Sequence, residues 1–171
     1  VLKAPSENIA DDSKALALFA QEEWLTRSLK HPNLVSGMER PRGATATYLL
    51  MPLVEGANLR QWRVDQEHTS LVEVRAIIKQ LIEVVRHLHR QGIQHRDLRP
   101  ENILIDEHGK ITLIDYGSAA VAGLPPDTEQ RVGALEYSAP ELVLGQPCRQ
   151  PDAFAIACIT YELLTGHLPY G

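Results

Sequence analysis

His95-Arg96-Asp97-Leu98-Arg99-Pro100-Glu101-Asn102 is followed at once by the apolar run Ile103-Leu104-Ile105, a polar stretch from Asp106 to Gly109, and a second apolar run from Ile111 to Ile114. Short aliphatic runs bounded by Asp and Gly predict two strands joined by a turn. The second run ends in Asp115-Tyr116-Gly117, an acid on a flexible corner. Antiparallel pairing would bring Asn102, at the start of one strand, beside Asp115, at the end of the other. An amide oxygen next to a carboxylate is a hard-ligand pair suited to Mg²⁺. Asp97 is then a carboxylate close by, placed to accept a proton from a hydroxyl. The plainer alternative is a structural hairpin with a solvated charge cluster. A lone Asp-Tyr-Gly would fit that alternative as well, since short turns of that composition are common.

Around this stretch the composition is that of an ordinary globular chain: 171 residues, 44% hydrophobic and 23% charged. That length allows one sizeable core, or one small lobe joined to part of a larger one. The net charge of −5, with no face gathering Lys and Arg, speaks against a nucleic-acid partner. Cys148 and Cys158 lack metal-ligand spacing and are expected to be buried free thiols in a reducing cytosol. The longest apolar run, Ala153 to Leu164, is interrupted by Thr160 and Glu162, so no membrane span or signal peptide is expected. The opening Val1-Leu2-Lys3-Ala4-Pro5 reads as a strand end already in progress, and the chain is expected to be a fragment.

Upstream of the octet, Asp11-Asp12-Ser13 offers N-caps for a helix from about Lys14 to Lys30, with Leu18, Phe19, Leu25 and Leu29 at helical spacing. His31-Pro32-Asn33 stops it. Leu34 to Gly37 and Thr47 to Leu53 read as strands, Val54 to Asn58 as a joint, and Leu59 to Asp65 as a short helix. Leu71 to Arg90 carries Leu71, Val74, Ile77, Ile78, Leu81, Val84, Val85 and Leu88 as one apolar stripe, and Gly92 stands at C′. Downstream, Ser118 to Ser138 has little periodicity and reads as a mobile surface loop. Ala139-Pro140-Glu141 opens a short helix, and Asp152 to Leu164 is so apolar that full burial is expected.

The octet, the hairpin and the Asp-Tyr-Gly corner resemble the catalytic loop and metal-binding turn of eukaryotic-like (Hanks-type) serine/threonine protein kinases. The resemblance covers nearly the whole chain. It implies an α+β, bilobal kinase-like fold, incomplete, as a single partial domain over 1–171. The division is a partial N-lobe at 1–53 with part of a sheet and one helix, a hinge at 54–58, and a partial, mainly helical C-lobe at 59–171. It also implies ATP and Mg²⁺ as cofactors, protein substrates phosphorylated on Ser or Thr, a signalling role and a cytoplasmic, bacterial setting. Val1-Leu2-Lys3 resembles the strand whose lysine holds the α- and β-phosphates, with Glu22, 19 residues on, as its ion-pair partner and Glu23 as the competitor. Met51 matches the back of the adenine pocket, the Pro52 carbonyl and the backbone of Val54 would face adenine, and Leu104 would lie beneath it. Asp97 is the implied base, Asn102 and Asp115 the metal ligands, and His95 a packing strut.

Several positions depart from the family pattern. Arg99 replaces a lysine that touches the γ-phosphate and substrate, and it keeps the charge with a planar fork in place of an ammonium. Ala134 replaces a threonine whose hydroxyl bonds the catalytic aspartate and lysine. Arg96 resembles the arginine that meets a phosphorylated activation loop. Thr128, two residues before the usual site, is its candidate partner, and Ser118 is the second choice. Glu141 would pair with an arginine on a later helix. Asp152 resembles a buried aspartate that bonds the backbone of the catalytic loop. Ala157 takes the place of a glycine. The wording around Val-Leu-Lys-Ala-Pro-Ser resembles a bacterial subgroup fused to a metal-dependent phosphatase. The rival to an active kinase is a pseudokinase, a nucleotide-binding or scaffolding module. A small-molecule phosphotransferase of the aminoglycoside type fits the Ala-Pro-Glu segment and the long loop less well.

Overall fold

The computed structural model describes residues 1–5, 12–41, 43, 47–123, 134–146 and 148–170. Asp11 and Thr128 lie outside the described residues. In chain order the elements are β1 (Leu2–Lys3), α1 (Ser13–Ser28), β2 (Leu49–Leu50), β3 (Ala57–Asn58), α2 (Leu59–Asp65), α3 (Leu71–Arg90), β4 (Ile93–Gln94), β5 (Ile103–Ile105), β6 (Ile111–Leu113), β7 (Ala120–Val121), α4 (Pro140–Val143) and α5 (Pro151–Thr165). The class is α+β, with three small antiparallel sheets among the described residues: β1 with β2, β3 with β5 and β6, and β4 with β7.

Local chemistry sets the clearest boundaries. α3 begins at a capping box, in which the Ser70 hydroxyl accepts from Glu73 N–H while the Glu73 carboxylate accepts from Ser70 N–H. It ends where Gly92 takes φ +72°. Its stripe of Val74, Ile77, Leu81, Val84, Val85 and Leu88 is buried, Ile78 is half-buried, and Leu71 is exposed. α1 is capped by Asp12, whose Oδ1 accepts from the N–H groups of Lys14 and Ala15. The β5–β6 turn is closed by Asp106 Oδ1, which accepts from His108 and Lys110 N–H, both at 2.9 Å.

The core runs between α3, α5 and the β5–β6 hairpin, with Ile103, Ile111, Leu113, Leu81, Leu88 and Ile159 almost without exposure. Gln80 on α3 fastens the hairpin. Its Oε1 accepts from Ile111 N–H at 3.1 Å and its Nε2 donates to the Gly109 carbonyl at 2.9 Å.

Several expectations need correction. The strands foreseen at 34–37 and 47–53 shrink to β2 and two isolated bridges, Leu34 to Leu113 and Met38 to Leu50. Residues 33–35 run along the free edge of β6, with Val35 N–H donating to Leu113 carbonyl at 3.0 Å and Leu113 N–H to Asn33 carbonyl at 2.8 Å. Ala57 and Asn58, read as part of a joint, pair with Ile105 and Leu104. Within the segment read as a surface loop, Ala120 and Val121 pair with β4, and Ala119 and Tyr137 are buried. α5 is not wholly buried: Ala153, Ala157, Tyr161 and Leu164 face out along one side, because α3 packs against only the other. Cys158 is buried, but Cys148 is half-buried and donates from Sγ to Glu141 Oε1 at 3.1 Å. No helix among the described residues is long and apolar enough to cross a membrane.

One carboxylate ties α5 to the octet. Asp152, 1% exposed, accepts from the N–H groups of His95 at 2.9 Å and Arg96 at 2.8 Å, and its Oδ2 lies 2.7 Å from His89 Nε2. Burial alone would push this carboxyl up. The His89 bond, the His95 ring and the two backbone N–H groups outweigh that and hold it below the usual carboxylate range. His89 is raised above its ordinary 6.5, chiefly by the bond to Asp152.

Two predictions follow from these contacts. A group whose folded pKa is raised adds stability below its unfolded pKa and loses it as pH climbs through the folded value. The stability gap between wild type and His89→Gln, measured by urea unfolding, should therefore be widest near pH 6 and narrow as pH rises past the raised His89 value; a gap that widens with pH would contradict the charged pair. At Gly56, φ is +127° and an added Cβ would lie 2.2 Å from the Ile105 carbonyl oxygen. Gly56→Ala should cost on the order of 2 kcal/mol in the same assay, from strain and forced displacement of β5.

Candidate active site

The register of β5 and β6, Ile103 opposite Leu113, puts Asn102 beside Ile114, and Ile114 N–H donates to the Asn102 carbonyl at 2.9 Å. Asp115 therefore leaves the sheet one residue beyond Asn102's partner. Asn102 turns its amide nitrogen onto Asp97, donating to its carbonyl at 2.9 Å and to Oδ2 at 3.0 Å. The amide oxygen is left for another ligand, and the Asp97 carboxylate is fixed from its Asn102 side.

Asp115 is reached from the far end of the chain. Lys3 Nζ on β1 donates to Glu22 Oε1 at 2.6 Å and to Asp115 Oδ1 at 3.2 Å, bridging 112 residues of sequence. Glu22 is 4% exposed on the inner face of α1. Its neighbour Glu23 points elsewhere and pairs with Arg40 at 2.8 Å, as one step of about 100° around a helix requires. Burial pushes the Glu22 carboxyl up, against the Lys3 bond. For Lys3, burial works to lower the ammonium, but its bonds to Glu22 and Asp115 win and raise it. For Asp115, burial works upward, and the Gly117 N–H with the Lys3 charge wins and lowers it. The ammonium thus stays charged between two acids.

Strain marks the same place. Arg96 and Asp115 are the non-glycine residues with positive φ, +65° and +66°, among the described residues. Left-handed backbone at such residues persists only where the surroundings hold it. Asp152 holds Arg96 through its N–H, and Gly117 N–H, donating to Asp115 Oδ1 at 3.0 Å, holds Asp115. Gly117 lies close to these acids: a Cβ there would stand 3.2 Å from Asp115 Oδ1, a tight contact, and 3.5 Å from Glu22 Oε2, an ordinary one.

His95 is fully buried, and burial pushes its imidazole down toward the neutral form. It packs near Tyr116, with ring centroids 5.9 Å apart, and its Nδ1 faces Asp97 N–H at 3.4 Å. Tyr116 is itself buried, and its hydroxyl donates to the Val35 carbonyl at 3.4 Å. Gln21, the residue before Glu22, donates to the Ala119 carbonyl at 2.8 Å and so fastens α1 to the chain just after the Asp-Tyr-Gly corner.

The remaining anticipated residues are spread around this centre. Met51 and Val54 are half-buried against the core, and Pro52 is exposed. Both backbone groups of Met51 bond Val1, while the Pro52 carbonyl and the backbone of Val54 have no hydrogen-bond partner among the described residues. Leu104 is half-buried in the middle strand, paired with Asn58 and Thr112. Arg99 donates from Nε to Glu101 Oε2 at 2.8 Å. Ala134 carries no hydroxyl for Asp97, and its carbonyl accepts from Ser138 Oγ at 3.0 Å. Glu141 is met by Cys148. His89, Gln21, Arg60 and Glu162 escaped the reading of the sequence, since nothing in their local spacing marks them.

The residues fit a magnesium nucleotide. Among the described residues no three His, Cys, Asp or Glu side chains gather as a metal cage. An Asp–Asn pair suits Mg²⁺, which commonly takes one or two protein ligands and completes its shell with phosphate oxygens and water. The Lys3 ammonium adds a cation for phosphate beside that pair.

Comparison with known proteins agrees with this geometry. The family model for the protein kinase domain matches residues 2–171. The chain is similar to the serine/threonine-protein kinase PkaB of Streptomyces coelicolor, 33% identical over 182 residues that cover 99% of this chain and 43% of that protein. It is also similar to the hormonally up-regulated neu tumor-associated kinase of Homo sapiens, 34% identical over 154 residues, 88% of this chain and 22% of that protein. A third relative is sperm motility kinase 2B of Mus musculus, 33% identical over 142 residues, 82% of this chain and 29% of that protein. The chain thus spans between about a fifth and somewhat under half of the length of these relatives. On the match of residues 2–171 to the family model, the chain belongs to the protein kinase domain family, as its resemblance to the Hanks-type serine/threonine kinases implied.

Proposed function

We propose that this kinase domain is an active, ATP- and Mg²⁺-dependent enzyme that transfers the γ-phosphate to Ser or Thr hydroxyls of protein substrates. The observation that carries the reading is the joint placement of Asp97 with Asn102 and of Asp115 with Lys3 and Glu22. In this reading residues 1–53 supply the Lys3–Glu22 pair, 54–58 the hinge, and 59–171 the loop and the metal ligands. The substrate oxygen forms a bond to the γ-phosphorus as the bond to the β-phosphate bridge breaks, ADP leaves, and the hydroxyl proton passes to an Asp97 carboxylate oxygen. Asn102 keeps that carboxylate aimed. Lys3 is steered by Glu22 onto the phosphates. Asp115 and the Asn102 amide oxygen would hold Mg²⁺, whose contribution is neutralisation of phosphate charge. The unpaired backbone groups of Pro52 and Val54 would bond adenine, between Met51 and Leu104.

A pseudokinase is the second reading, favoured by two observations: Ala134 offers Asp97 no hydroxyl, and position 99 carries an arginine where the family pattern has a lysine. The two readings part in a transfer assay on the intact protein with labelled ATP and a basic protein acceptor. An active kinase should lose on the order of 10³-fold in kcat in Asp97→Asn, within the range for removing a positioned base, and fall to background in Asp115→Ala. ATP binding without transfer in wild type would favour the pseudokinase.

The ion pair gives a separate prediction. Lys3→Met and Glu22→Gln should each raise KM for ATP by about 10-fold, while Glu23→Gln, which faces Arg40, should leave it unchanged. Equal effects of Glu22→Gln and Glu23→Gln would refute the assignment of the pair.

A further inference from the structure

Beside Asp97 lies an ion-pair network that the proposed reaction does not use. Arg60 on α2 donates from Nε to Glu101, from Nη1 to Glu162 Oε1 at 3.0 Å, and from Nη2 to the Tyr137 hydroxyl at 2.7 Å. The Tyr137 hydroxyl in turn donates to Glu162 on α5. Glu101 therefore gives Oε1 to Arg60 and Oε2 to Arg99. An isolated exposed ion pair contributes little. This one is a network: each of the three guanidinium nitrogens of Arg60 makes a hydrogen bond, and Glu162 is only 13% exposed.

The contact on Arg99 is made by one edge only. Glu101 takes Nε, and among the described residues neither terminal amino group of Arg99 has a hydrogen-bond partner. Arg99 stands two residues beyond Asp97 in the same loop, and Asn102, next to Glu101, donates to the Asp97 carboxylate at 3.0 Å. A guanidinium can be held at Nε and still present both terminal amino groups to an anion. A lysine has a single ammonium, which Glu101 and an anion would have to share. The bond to Glu101 at Nε therefore leaves both terminal amino groups of Arg99 available.

We propose that Glu101, fixed by Arg60, is a positioning residue that holds Arg99 by its Nε edge and aims its terminal amino groups at an anionic group bound beside Asp97. The inference rests on the kinase reading only in identifying that anion as the phosphoryl group under transfer. Through Arg60 the same clamp links Arg99 to Tyr137 and to α5.

Two measurements on the intact protein test it. Phenylglyoxal labelling of Arg99 without nucleotide, read by peptide mass spectrometry, should rise several-fold in Glu101→Gln. It should also rise in Glu101→Asp, whose shorter carboxylate cannot span both guanidinium groups, and this variant serves if the first unfolds. In the transfer assay, Glu101→Gln should lower kcat by about 10-fold, as expected for a misaimed group, with little change in KM for ATP. In an Arg99→Lys background the same substitution should cause no further loss, because the edge it acts on is gone. Unchanged labelling of Arg99, or an equal loss of kcat in both backgrounds, would overturn the proposal, the second by showing that Glu101 acts through Arg60 and the fold. If wild type transfers nothing while Glu101→Gln still unmasks Arg99, the holding contact stands and the kinase reading is what fails.

Discussion

A carboxylate shut away from water must find donors, and much of this structure depends on where Asp152 finds them. Its oxygens take the N–H groups of His95 and Arg96 and a nitrogen of His89. Those bonds do two things at once. They satisfy a charge that would otherwise cost several kcal/mol to bury, and they hold Arg96 in a left-handed conformation that bends the chain ahead of Asp97. The position of Asp97, the proposed base, is therefore set from the first turn of α5, an element that contributes none of the proposed site residues itself.

The same helix acts again ten residues later. Glu162 lies on α5 about 15 Å beyond Asp152 at the usual rise per residue and reaches the far end of the octet through Arg60 and Glu101. The loop that carries Asp97, Arg99 and Asn102 is thus gripped at both ends by one helix, at His95–Arg96 directly and at Glu101 through Arg60. This explains why an irregular loop can hold side chains with the precision that positioning chemistry demands. It also explains the short helix α2, whose Arg60 is the intermediary.

A second organising contact works from the other side. Lys3 joins β1 to α1 through Glu22 and to the Asp-Tyr-Gly corner through Asp115. Gln21 to Ala119 and Tyr116 to Val35 run parallel to it. The orientation of α1, the placement of the ammonium and the conformation of the corner are consequently linked, and a shift in one must disturb the others.

Much of this was legible in the sequence wherever the cause is local. α3 follows from an apolar stripe, a Ser–Glu cap and a glycine stop. The β5–β6 hairpin follows from two aliphatic runs around an Asp-led turn, and its antiparallel register brings Asn102 toward Asp115. The octet and the family match identify the fold, and the resemblance to the family pattern favoured Glu22 over Glu23. What the sequence by itself could not determine is which partner each charge would choose, because electrostatic pairing depends on distance in space and not along the chain. His89 meets Asp152 across 63 residues and Arg60 meets Glu162 across 102. The strands expected at 34–37 and 47–53 were likewise decided by tertiary structure. Their β-like composition was real, but the available edge of β6 offers room for one bridge, and a strand extends only as far as it has a partner to bond. Arg99 shows the division most plainly: its charge is written in the sequence, and its aim is set by a carboxylate that a residue on another helix holds in place.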